Sequence, residues 1–87
     1  MPVSPPDLGA ALAKAVHEAE RAVRRYDSDA ARTLRDSLRA ARDRGGIPDR
    51  AWLAAAIRDA AGWATGEEDI ALLASLGAIA RASAAER

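Results

Sequence analysis

The chain has 87 residues, of which 43 are apolar and 24 of those are Ala; thirteen Lys and Arg balance thirteen Asp and Glu, and there is no Cys. That length accommodates one domain. The missing Cys excludes disulfide frameworks, thiolate metal sites and cysteine nucleophiles, and no apolar run approaches the ~18 residues of a membrane span.

Ser4 is a good helix cap, Pro5 suits the first helical position, and Asp7 favours the positive end of the helix dipole. A first helix is expected over residues 5–26. Leu8, Leu12, Val16, Ala19, Val23 and Tyr26 recur at three or four, one apolar stripe. Lys14, Glu18, Arg21 and Arg25 belong to the opposite side, and Glu20 precedes Arg24 by the four residues that favour a local ion pair.

Asp27-Ser28-Asp29 is the first break, because Asp and Ser compete for backbone hydrogen bonds and prefer caps to helix interiors. No Gly or Pro occurs there, and the apolar phase runs through to Ala30 and Leu34. The alternative is therefore a continuous helix from Ser4 to Arg44, ~60 Å long, paired with a helical hairpin in an intertwined dimer. With the break in place, a second helix covers 29–44, burying Ala30 or Ala31, Leu34, Leu38 and Ala41. Gly45-Gly46 stops it.

Pro48 and Asp49 open a third helix over 49–64. Its apolar stripe is Leu53, Ile57, Ala60 and Ala64, with Trp52, Ala56 and Trp63 beside it. Thr65 and Glu68 have the spacing of a capping box, so the fourth helix is expected over 66–84, burying Leu72, Leu73, Leu76, Ile79 and Ala80. No stretch alternates as a strand would. The expected architecture is all-α, a small antiparallel four-helix bundle spanning 1–87 as a single domain.

Enzymatic chemistry finds little support. His17 has Glu20 and Arg21 as its helical neighbours, an ordinary surface setting, and it lacks the Glu-x-x-His spacing of carboxylate-bridged metal bundles. Ser4, Ser28 and Thr65 are explained as helix starts. Gly45-Gly46 runs into Ile47-Pro48 without the lysine of a phosphate loop. Glu67, Glu68 and Asp69 suit the first turn of a helix. A non-enzymatic protein without cofactor or metal is expected. Its N-terminus shows neither a basic region nor an apolar segment of a secretion signal, which suits a cytoplasmic protein.

Two features point to binding. On the second helix Arg32, Arg35, Arg39 and Arg42 lie within roughly 80° of one another; Asp36 and Asp43 lie four after Arg32 and Arg39, while Arg35 and Arg42 have no partner at that offset. Such a face suits an acidic protein surface or phosphate backbone. Trp52 and Trp63 are eleven apart, three helical turns, so both belong to one side of the third helix. They either plug an Ala-rich core or anchor an interface, where Trp and Arg are enriched. A helix-turn-helix around Gly62 is a poor match: Arg58 occupies the position that needs a small residue, and the recognition helix would open on three acids.

The expected function is a protein–protein interaction module, a small regulator, inhibitor or accessory subunit that associates with itself or with a protein partner. Its candidate contacts are Trp52, Trp63, Arg35, Arg39 and Arg42. The alternative is a nucleic-acid-associated regulator using the Arg-rich second helix. The reason for expecting a partner is the core: Ala buries little area, and fewer than twenty larger apolar side chains remain to hold four amphipathic segments.

Overall fold

The computed structural model describes residues 8–85. Four helices follow one another: α1 (Leu8–Tyr26), α2 (Asp29–Arg44), α3 (Arg50–Trp63) and α4 (Ile70–Ala85), with a 3-10 turn at Glu67–Asp69 leading into α4. The expected start of α1 at Ser4, Pro5 and Asp7 lies outside the described residues. No strand occurs among the described residues.

The boundary between α1 and α2 is a real corner. The Asp27 amide closes α1 by donating to the Val23 carbonyl at 2.8 Å, and Asp27 itself turns to φ 46. Asp is among the few residues whose short polar side chain makes that left-handed conformation accessible. Ser28 then takes extended backbone and accepts the Ala31 amide at 3.2 Å as the N-cap of α2. The continuous helix from Ser4 to Arg44, and with it the intertwined dimer, is thus replaced by an α-hairpin. At the other end of α2, Gly45 adopts φ 79, and its amide and that of Gly46 return to the carbonyls of Arg42 and Ala41 at 3.1 and 3.0 Å. This is the reciprocal C-terminal closure that glycine favours. Asp49 caps α3 by accepting the Trp52 amide at 2.7 Å.

α1 is the central element, packed along α2 on one side and α4 on the other; α3 rests more lightly on α2 and α4. The C-terminal end of α1 meets the N-terminal end of α4 through Arg25, Tyr26 and Asp69, so these two helices run in opposite directions. The first turns of α3 face the last turns of α4, where Leu53 and Ile57 line a groove with Ala80 and Ala84. The bundle is up-and-down.

Leu12, Val16, Leu38, Leu72, Leu76 and Ile79 are the largest apolar side chains fully removed from solvent. Between them lie Ala15, Ala19 and Ala22 of α1, Ala41 of α2, Ala60 of α3 and Ala82 of α4, all at 0% exposure. A methyl-sized side chain contributes little transfer energy, but it lets neighbouring helices approach until the larger side chains interlock. All sixteen residues of the buried cluster, drawn from every helix and from Ala64, form one core.

Several expectations need correction. The buried stripe of α1 is rotated toward Ala15, Glu18 and Ala22, so Glu18 is buried instead of lying on the solvent side, while Tyr26 is partly exposed. In α2 the choice falls on Ala31 over Ala30. Ile57, Leu73 and Ala80 pack against the core only in part. Finally, the cap before α4 is one residue later than Thr65 and Glu68 suggest: the Gly66 amide donates to Asp69 Oδ2 at 3.0 Å, and the Asp69 amide returns to the Gly66 carbonyl at 3.0 Å. Asp69 wins because it is three before Leu72 and seven before Leu76, on the inward face, where Tyr26 and Arg25 also reach it.

Candidate interaction surface

The four arginines of the α2 stripe lie where helical spacing puts them, but none stands alone. Arg39 Nη2 donates to Glu20 Oε2 of α1 at 2.6 Å, Arg35 Nε to Asp36 Oδ1 at 3.0 Å, and Arg42 Nε lies 3.5 Å from Asp43 Oδ1. Arg32 is held by Asp27 and Asp29, each at 2.7 Å. The i,i+4 partners expected for Arg32 and Arg39, Asp36 and Asp43, are engaged by the preceding arginines instead. Glu20 likewise turns to Arg39 across the hairpin rather than to Arg24 along α1. The hydrogen bond from Arg39 lowers the Glu20 pKa against the opposing effect of burial. These are solvent-facing pairs of small individual worth. Together they neutralise the stripe.

The tryptophans sit on a different edge. Trp52 lines a groove of about 200 Å³ between α2 and α3, with Thr33, Leu34, Ser37, Ala55, Ala56 and Asp59. Thr33 and Ser37 are on the edge of α2 turned toward α3, whereas Arg39 bonds to α1. The structure therefore separates the Trp pair from the Arg35, Arg39 and Arg42 stripe. Trp52 and Trp63 share one side of α3, as their spacing requires. Both are half-buried. Trp63 meets the Tyr26 ring edge-on, centroids 5.6 Å apart, and its Nε1 donates to Asp59 Oδ2 at 3.3 Å. Each indole thus packs part of its surface on the core and leaves part to solvent.

Pairing also gathers residues that periodicity alone does not reveal. Asp69, 1% exposed, accepts from the Tyr26 hydroxyl, the Arg25 guanidinium and the Gly66 amide. Burial works against its charge, but those three donors outweigh it and hold the carboxyl below the usual Asp range. Donation to Asp69, reinforced by burial, raises the Tyr26 pKa. This knot ties the end of α1 to the start of α4. Its sequence signal is present but faint: Asp69 shares the phase of Leu72 and Leu76, and an acid on an apolar phase needs a partner. Glu18 carries no such signal, because the apolar spacing of α1 places it off the stripe. Its Oε1 lies 3.5 Å from Arg21, and its buried Oε2 has no hydrogen-bond donor among the described residues.

A second groove, of about 210 Å³, runs between α3 and α4 and is lined by Arg50, Leu53, Ala54, Ile57, Ala80, Ser83 and Ala84. α3 is therefore flanked by open grooves on both sides. It buries only Leu53 and Ala60. His17 is exposed, and among the described residues no group of three or more His, Asp and Glu side chains is placed to hold a metal ion. No helix of the described residues is long and apolar enough to cross a membrane.

A four-helix, Ala-rich bundle with a lightly seated third helix is the class that fold and surface define. Comparison with protein-family models, with curated proteins and with solved structures finds no match to this chain.

Proposed function

We propose that this protein is a non-enzymatic interaction module, a small regulator or accessory subunit that binds protein through α3 and the helices flanking it. One observation carries the reading: α3 is held by two buried side chains, Leu53 and Ala60, and presents half-buried Trp52, Ile57 and Trp63 along its edges. Aromatic side chains in that state have apolar area left to bury, and such area at the centre of a contact is where binding energy concentrates.

Self-association suits the α2–α3 groove. Its lining carries a single charged group, Asp59, whose carboxylate accepts from Trp63 Nε1, so a two-fold contact there is mostly between uncharged side chains. Sedimentation velocity across a concentration series tests this. The mass rises toward a dimer, and Trp52→Ser removes the concentration dependence while the helical circular dichroism is retained. A monomer at every concentration for both proteins overturns self-association.

The nucleic-acid reading rests on Arg35, Arg39 and Arg42, and the carboxylates beside each of them weigh against it. Polyanion binding needs cations that can release counterions on contact, which a locally compensated stripe does poorly.

A further inference from the structure

We infer that the α3–α4 groove is a docking site for an acidic amphipathic helix of another protein. The inference rests on the reading as an interaction module, but not on self-association, and it uses a different surface.

Shape comes first. On α4, Ile70, Leu73, Gly77, Ala80 and Ala84 recur at intervals of three or four and so form one stripe along the helix. Ile70 is 66% exposed, an isolated large apolar side chain at the start of that stripe. At its far end Ala80 and Ala84 face Leu53, Ala54 and Ile57 of α3 across the groove. The groove has room for several water molecules at ~30 Å³ each, against walls that are almost wholly hydrocarbon. An amphipathic helix laid along it would present apolar side chains at the same three- and four-residue spacing, the usual mode for a helix in a groove.

Charge then selects the occupant. Most arginines of α1 and α2 are paired, yet Arg50 and Arg81 have no carboxylate within 4.0 Å among the described residues. Arg50 lines the groove itself. Arg81 follows Ala80 on α4 and lies back over Gly77, where a Cβ would come within 3.5 Å of its Nη1. The neighbouring acid, Asp49, is committed to the Trp52 amide. The apolar strip is therefore bordered by Arg50, which lines the groove at the start of α3, and by Arg81, whose guanidinium lies over Gly77 of the α4 stripe. A second copy of this chain docked there in two-fold fashion would offer the same lining, which holds no carboxylate. Carboxylates from a different helix would instead find unpaired guanidiniums ready for bidentate contact.

The test uses the full chain, isotopically labelled, and an about 18-residue amphipathic peptide with Leu at every third or fourth position and Glu between. Two controls accompany it: the same peptide with Lys for Glu, and a scrambled Glu/Leu peptide. Binding is read by fluorescence anisotropy and mapped by amide shift changes. The acidic peptide binds and shifts Ala54, Ile57, Gly77 and Ala80. Arg50→Glu and Arg81→Glu each weaken it about tenfold or more, corresponding to at least ~1.4 kcal/mol. Both positions are exposed, and an acid at the start of α3 favours that helix, so the Arg50 variant folds. Ala54→Glu, which adds bulk and charge to the wall, abolishes binding. Arg44→Glu, at the end of α2 and away from the groove, leaves it unchanged. Equal binding of the Lys or scrambled peptide overturns the proposal, as does binding that the Arg50 and Arg81 variants do not weaken. Shifts confined to Thr33, Ser37 and Trp52 also overturn it while leaving the interaction-module reading intact. A short DNA duplex that competes through Arg50 and Arg81, where no peptide binds, overturns both the partner class and that reading.

Discussion

Two buried carboxylates behave differently because one has donors and the other does not. Asp69 is surrounded by Tyr26, Arg25 and Gly66. Removing a charge that compensates a partly buried guanidinium costs about 3 kcal/mol, so Asp69→Asn is expected to lower urea stability by that order at neutral pH. The folded-state pKa of Asp69 lies below its unfolded value, so its contribution is present above roughly pH 4 and disappears as the pH falls through the folded pKa. Urea titrations of both proteins should therefore converge in acid. Glu18 is the opposite case, with Oε2 buried and undonated. Replacing such a group by an apolar one of similar length removes a desolvation cost. Glu18→Met should raise the melting temperature, by the equivalent of about 1 kcal/mol. Neither residue stands out in a periodicity reading: their chemistry is set by what other helices bring to them.

The helices differ in how firmly each is seated. Ser28 satisfies an otherwise orphaned amide at the start of α2, so Ser28→Ala should cost about 1 kcal/mol in chemical denaturation. α3 has the same kind of cap in Asp49 but little behind it, since Leu53 and Ala60 are its only buried side chains. Its amides are expected to exchange with solvent at a lower opening free energy than those of α1, which buries seven residues. Native-state hydrogen exchange distinguishes the two directly. Helix limits within the described residues were legible because capping residues act locally: Ser28, Gly45 and Asp49 each satisfy backbone groups a few residues away. The miss at Thr65 is instructive for the same reason. Thr65 and Glu68 have the local spacing, but Asp69 is drawn inward by Tyr26 and Arg25 of a distant helix, and the cap moves to Gly66.

At the scale of the molecule the small side chains change meaning. Ala predominance suggests a thin core, yet fully buried Ala on all four helices lets one continuous cluster form. The Cα radius of gyration is 12.5 Å, close to the ~12 Å expected for a folded chain of this length. Small-angle scattering at low concentration should give a value near this, and a longest dimension near 40 Å instead of the ~60 Å of an unbroken N-terminal helix. Apolar surface is left open beside α3, on both flanks. That surface stays uncovered because α3 rests on α2 and α4 more lightly than α1 does.

The order of residues alone determined the helical class, the cap at Asp49, the Gly45 stop and most of the inward stripe, since these follow from backbone hydrogen bonding and a 3.6-residue period acting over a few positions. Tertiary structure alone decided which charges pair between helices. Arg39 of α2 turns to Glu20 of α1, Asp69 is locked by residues more than forty positions away, and the unpaired Arg50 lines the groove beside α4. Pairing between helices depends on distances across helix pairs, and no spacing along a single helix encodes them.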